Sequence, residues 1–265
     1  MLSLFGPRLP IDRDEFEWQL ATFKWLRLEF GSAARLLVLP SPAFFPASSS
    51  QGHERIADLF EHVRAAAGME DWPCELQAGR RDRPAQVGPA LFLRHEDAPA
   101  PCGTFQITGE DGIPKVVITY NPELTTDTTA MIATLAHELA HYLMSTAATD
   151  PPGGWDLHEL HTDLAATWMG FGIFLANSAR NFSQFQSDGL QGWSSRTQGY
   201  LSEQALVTGL AIVERLYGRD PLAAAPFLKT YLESDLRRTT KALARSHPDI
   251  PAAVDAVDLA EYGAS

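Results

Sequence analysis

Cysteine is scarce in this chain: only Cys74 and Cys102 occur in 265 residues, and they form no CxxC pair. That excludes a disulfide framework, and two free thiols in a reducing compartment are expected. Positive charge is short too, since 21 Lys and Arg against 33 Asp and Glu leave a formal net charge of -12. Nucleic-acid binding needs a positive field, so no nucleic-acid partner is expected. The basic runs Arg80-Arg81-Asp82-Arg83 and 237–245 read as solvated faces. Long apolar runs are also missing. The best candidate, LAATWMGFGIFLANSA at 164–179, has 16 residues and is interrupted by Gly170 and Gly172. It falls short of the roughly 20 residues a membrane span needs and reads as a buried core helix, so no membrane association is expected. The opening stretch MLSLFGPRLPIDRDEFEW has no basic start followed by an apolar run, which predicts no signal peptide and a cytoplasmic protein. No GxGxxG or GxxxxGK[ST] loop and no GxSxG elbow occurs, which argues against a nucleotide enzyme and a serine hydrolase of that type. No internal repeat is visible, and oligomeric state is not legible.

What remains is an ordinary globular composition, 45% apolar and 20% charged, on a chain long enough for one large domain or two small ones. Apolar residues at helical spacing predict a helix over 11–30, stopped by Gly31. Arg35 to Leu39 reads as a short strand, and 52–67 as a second helix ending before Gly68. GTFQIT and PKVVITY, joined by GEDGI, predict a hairpin over 103–120. Helices are expected over 125–145, 156–178, 202–217 and 222–246. Three regions follow: 1–100 of unassigned role, 101–200 carrying the chemistry, and 201–265 helical, packed as one unit.

The chemistry is in HELAHYLMSTAATDPPGGWDLHELHTDLAATW. His137 and His141 lie four apart on a helix, one above the other, where both imidazoles can reach one metal ion. Glu138 is then placed to take a proton from water at that ion. Along this helix the polar residues Thr134, His137, Glu138, His141 and Ser145 form a single stripe on an otherwise apolar body. Two buried imidazoles and a carboxylate without partners would be costly, and a metal ion satisfies all three. A catalytic zinc usually has three protein ligands. The candidates for the third are Asp156, His158, Glu159, His161 and Asp163. Glu159 and Asp163 share one helix face, His158 and His161 another, so not all can serve one ion.

His137-Glu138-x-x-His141 followed by Glu159-x-x-x-Asp163 resembles the gluzincin zinc metallopeptidases. It is also similar to small bacterial predicted metalloproteases with a strand–helix–turn–helix core. The likeness spans roughly residues 103–180. It implies an α+β fold: a zincin-like core with a small antiparallel sheet packed on the active-site helix, a ligand-bearing second helix, and mainly helical flanks. It further implies Zn²⁺ held by His137, His141 and Glu159, with Asp163 hydrogen-bonded to a ligating His. His161 or His158 is the alternative third ligand; otherwise both are cleft-lining or plain surface residues. Tyr200, His158 and Arg196 are candidate donors to a transition-state oxyanion, Tyr200 foremost. The strand Val116–Tyr120 is expected beside the cleft, where it could align an extended peptide. His53, His62 and His95 read as isolated and exposed. The resulting expectation is a zinc hydrolase acting on a peptide or protein substrate, with Glu138 as general base. The alternative is a non-catalytic zinc-binding interaction module.

Overall fold

The computed structural model describes residues 8–79, 85–88, 91–93, 103–110, 113–184 and 201–263. Helix α1 (Arg13–Phe30) starts where Asp12 Oδ1 accepts from Glu15 N at 2.8 Å, and it ends at Gly31. Helix α2 (Gly52–Ala67) stops at Gly68, which takes a left-handed conformation. Between them the expected strand 35–39 is absent. Val38 is buried, and its N–H donates to Gly170 O at 3.0 Å. Its backbone partner is a carbonyl at a helix kink, not a neighbouring strand.

Strand β1 (Cys74–Ala78) follows, then the pair β2 (Ala85–Gly88) and β3 (Leu91–Leu93). Strands β4 (Gly103–Glu110) and β5 (Ile113–Tyr120) form the expected hairpin, registered from Gly103↔Tyr120 to Glu110↔Ile113. The sheet is not purely antiparallel, however. β1 joins β5 in parallel, from Cys74↔Val116 to Ala78↔Tyr120, and the order is β1-β5-β4. A parallel neighbour needs a long connection, and the chain between Ala78 and Ile113 supplies one. The first hundred residues therefore contribute directly to the sheet under the site.

A 3₁₀ turn (Pro122–Thr126) leads into α3 (Thr128–Met144), where Asp127 Oδ1 accepts from Ala130 N at 2.9 Å. Almost every α3 residue is buried, as its stripe pattern predicts. The helix expected over 156–178 is broken. It comprises α4 (His158–Ala166), a π-helical turn (Thr167–Phe171) and α5 (Gly172–Gln184). Gly170 sits in that turn at φ 107°. A Cβ there would lie 2.1 Å from Leu36 O, so the segment 36–38 can lie against the kink only because this residue is glycine. Helices α6 (Glu203–Leu216), α7 (Thr230–Ser246) and α8 (Ile250–Asp255) complete the described chain. Pro221–Phe227 is a separate 3₁₀ segment, so α7 begins later than the expected 222.

The fold is α+β. One apolar core runs from Phe23 and Leu26 of α1 through Leu135 and Leu139 of α3 and Leu164 of α4 to Leu210 of α6. Residues 164–176 are buried throughout, and among the described residues no helix is long and apolar enough to cross a membrane.

Candidate metal centre

Helices α3 and α4 pack against each other and bring two imidazoles to one carboxylate. The rings of His137 and His141 stand 4.7 Å apart and nearly perpendicular. His137 Nε2 is 3.1 Å and His141 Nε2 3.5 Å from Glu159 Oε2. One donor atom from each of the three lies within 4.8 Å of the others, a span that one metal ion bridges.

The outer hydrogen bonds decide which ring nitrogens face inward. His137 Nδ1 lies 3.0 Å from Asp163 Oδ1, which turns Nε2 toward Glu159. Asp163 is itself fixed, since its Oδ2 accepts from Leu201 N at 2.8 Å. His141 Nδ1 lies 3.2 Å from Thr162 Oγ1. That hydroxyl donates its one proton to His158 O at 2.7 Å, so toward His141 it must accept. His141 therefore carries its proton on Nδ1 and also turns a bare Nε2 inward. Two ring nitrogens and a carboxylate oxygen converge on one point, an arrangement that could hold a metal ion.

The electrostatics follow from that convergence. Burial disfavours the charged form of His137, but hydrogen bonds to Asp163 and Glu159 outweigh it and push the ring up to about 10. Burial also raises Glu159, yet the hydrogen bond from His137 and the adjoining His141 ring leave its carboxyl well below the usual range. Burial dominates at His141 and lowers it. In the absence of another cation, a proton on His137 fills the place between the two side chains. Two imidazoles and one carboxylate suit zinc, and the inward lone pairs fit an ion at that point.

Glu138 stands beside this set. It is 4% exposed, and its Oε2 has no hydrogen-bond partner among the described residues. Burial raises its carboxyl to about 7, with the neighbouring Glu159 charge adding and the His137 charge opposing. His141 and Glu159 keep 19% and 27% of their side-chain surface, so the centre opens to solvent on their side. The Phe105 ring stacks along His141 at 6.3 Å.

Of the residues singled out from the sequence, His137, Glu138, His141, Glu159 and Asp163 meet here. Tyr200, Arg196, His95 and Cys102 lie outside the described residues. His161 is neither a surface nor a cleft residue. It is fully buried against Trp18 at 4.9 Å, with Nδ1 at 3.3 Å from Thr22 Oγ1, and it does not reach the three-residue centre. His158 is at the rim, its Nε2 at 3.1 Å from Glu159 Oε1. His53 is not isolated, since its Nδ1 lies 3.0 Å from Tyr120 Oη. Strand β5 is the middle strand, so Val116–Tyr120 has no free edge to offer a peptide. Strand β4 is the outer one on the α3 side.

Two contributors escaped the sequence reading. Thr162 matters through its hydroxyl, and its signal was a polar group one residue before Asp163. Gly103 lets β4 close over Glu138, because a Cβ there would lie 2.8 Å from Glu138 Oε1 and 2.7 Å from Thr134 Cγ2. Its signal was a glycine opening a β-rich run. Compared with protein-family models, curated proteins and solved structures, the chain shows no match. The geometry of the site alone carries the functional argument.

Proposed function

We propose that this chain is a zinc-dependent hydrolase of peptide bonds, with His137, His141 and Glu159 as the metal ligands and Glu138 as the general base. The observation that carries the reading is the buried Glu138 carboxyl, one of whose oxygens has no hydrogen-bond partner among the described residues, beside a three-residue set that is open to solvent. A purely structural zinc site has four protein ligands and no use for a free carboxylate at its edge. Zinc at this position would supply the Lewis acidity that brings water within reach of deprotonation near neutral pH. Glu138 takes the proton at its carboxylate and returns it to the leaving amine. Its burial raises its basicity toward the pH at which it must work. The outer strand β4, with Phe105 along His141, offers backbone groups to an extended substrate beside the ligands. The resemblance to gluzincins and to a zincin-like core supports the same reading.

The test is elemental analysis of the purified protein, followed by turnover of a mixed library of quenched fluorescent peptides. One zinc per chain is expected in the wild type and in Glu138→Gln, with turnover at least about 100-fold lower in the variant. A variant that loses its metal, or that cleaves as fast as the wild type, would remove Glu138 from the role of base. A protein that takes up no zinc would end the reading altogether.

A further inference from the structure

We infer that His158 is a positioning residue that holds Glu159 to the metal through one oxygen and so keeps the ion four-coordinate, with water as the fourth ligand. The inference rests on the metal centre proposed above and assigns the one ligand whose outer partner is still unnamed. His137 is held by Asp163 and His141 by Thr162. Glu159 has two oxygens, and they face different ways. Oε2 meets the Nε2 atoms of both ligating imidazoles, whereas Oε1 lies 3.1 Å from His158 Nε2. The His158 ring is fixed from its other side, with Nδ1 at 3.1 Å from Trp155 O. The contact at Nδ1 turns the other nitrogen, Nε2, toward the Glu159 carboxylate.

The consequence is one of coordination number. A free carboxylate can offer one oxygen or both to an ion, and the second oxygen would add a fifth donor to the three protein ligands and one water of a catalytic zinc. With Oε1 engaged by His158, only Oε2 points at the ion. His158 lies outside the 4.8 Å set, which separates it from the ligands themselves. It is also the first residue of α4, one before Glu159, so the two side chains move as one unit with the helix start. Its 53% side-chain exposure means that replacing it does not disturb the core.

The metal-stripped protein titrated with Co²⁺ tests this, because cobalt absorption in the visible range reports coordination number directly. The wild type should bind one Co²⁺ with the intense bands of a four-coordinate ion. His158→Phe removes the donor to Oε1, so it should still bind one Co²⁺ but with weakened bands, as Oε1 joins and the ion becomes five-coordinate. His158→Gln retains a donor and should restore the wild-type spectrum. An unchanged spectrum in His158→Phe overturns this assignment and leaves the metal centre standing. Loss of cobalt from His158→Phe also overturns it, by making His158 a ligand. A wild type that binds no cobalt overturns both.

Discussion

A hydroxyl group decides whether the His141 ring could serve a metal ion or only pack as a half-buried histidine. Thr162 accepts from Nδ1 because its own proton is committed to His158 O, and that commitment sets which nitrogen faces Glu159. Thr162→Val keeps the branched shape and removes the acceptor. Zinc affinity should fall by about 10- to 100-fold with the fold intact, measured by competition with a chromophoric chelator. Equal affinity in the two proteins would mean that the hydroxyl does not set the tautomer. Gly103 acts by what it lacks. A methyl group there would sit 2.9 Å from the backbone oxygen of Thr119, in addition to its contacts with Thr134 and Glu138. The side chains could give way, but the carbonyl is held in the ladder. Gly103→Ala should therefore cost about 1–3 kcal/mol in urea unfolding and reduce turnover without reducing zinc content. A variant within about 0.5 kcal/mol of wild type would show that β4 has room to move.

At the scale of elements, the helix kink decides how the N-terminal region meets the site-bearing helices. Gly170 breaks what would be one helix from α4 to α5, and its carbonyl accepts from Val38 N. Gly170→Ala faces a left-handed φ and a Cβ 2.1 Å from Leu36 O. It should destabilise the protein by about 2–5 kcal/mol, read from the denaturant midpoint at constant slope. A small effect would show that 36–38 can peel away while the kink persists. The same kink explains what was legible in the sequence. The four-residue spacings of His137 with His141 and of Glu159 with Asp163 need only local helix geometry, and the structure brings all four side chains together. The hairpin was legible from two β-rich runs and a turn. Arg35–Leu39 looks like a strand because aliphatic residues favour extended backbone, yet its partner is a carbonyl more than a hundred residues away. The parallel pairing of β1 with β5 joins Cys74 to Val116, also beyond the reach of a local pattern. The break at Gly170 was not legible either, because a glycine inside a helical pattern does not say what will press against it.

Across the whole molecule, α1 is joined to the site-bearing helix by a neutral imidazole. His161 of α4 is fully buried, tilted against Trp18 at 4.9 Å and 6.3 Å from Trp25, both in α1. Trp18 Nε1 in turn donates to Pro152 O at 3.0 Å, which ties the turn before α4 to the same place. The sequence put His161 on the face away from Glu159 but could not show that two tryptophans from another region close over it. Burial pushes this ring down to about 3, against an ordinary 6.5. Above pH 6.5 the ring is neutral in both folded and unfolded chains, and its contribution to stability is complete. As pH falls from 6.5 toward 3, the unfolded chain takes up a proton that the folded chain refuses. Stability then declines by up to roughly 1.4 kcal/mol per pH unit. Glu138 works in the opposite sense, because its carboxyl is raised to about 7 and protonating it relieves a buried charge. The two effects separate by difference. In metal-stripped protein, His161→Phe should lose stability at pH 7 through altered packing but show a shallower decline between pH 6 and 4 than the wild type. Urea midpoints across that range measure both slopes. Parallel slopes would mean that the folded protein opens enough to protonate His161, and that the contact between α1 and α4 yields to acid before the rest of the core.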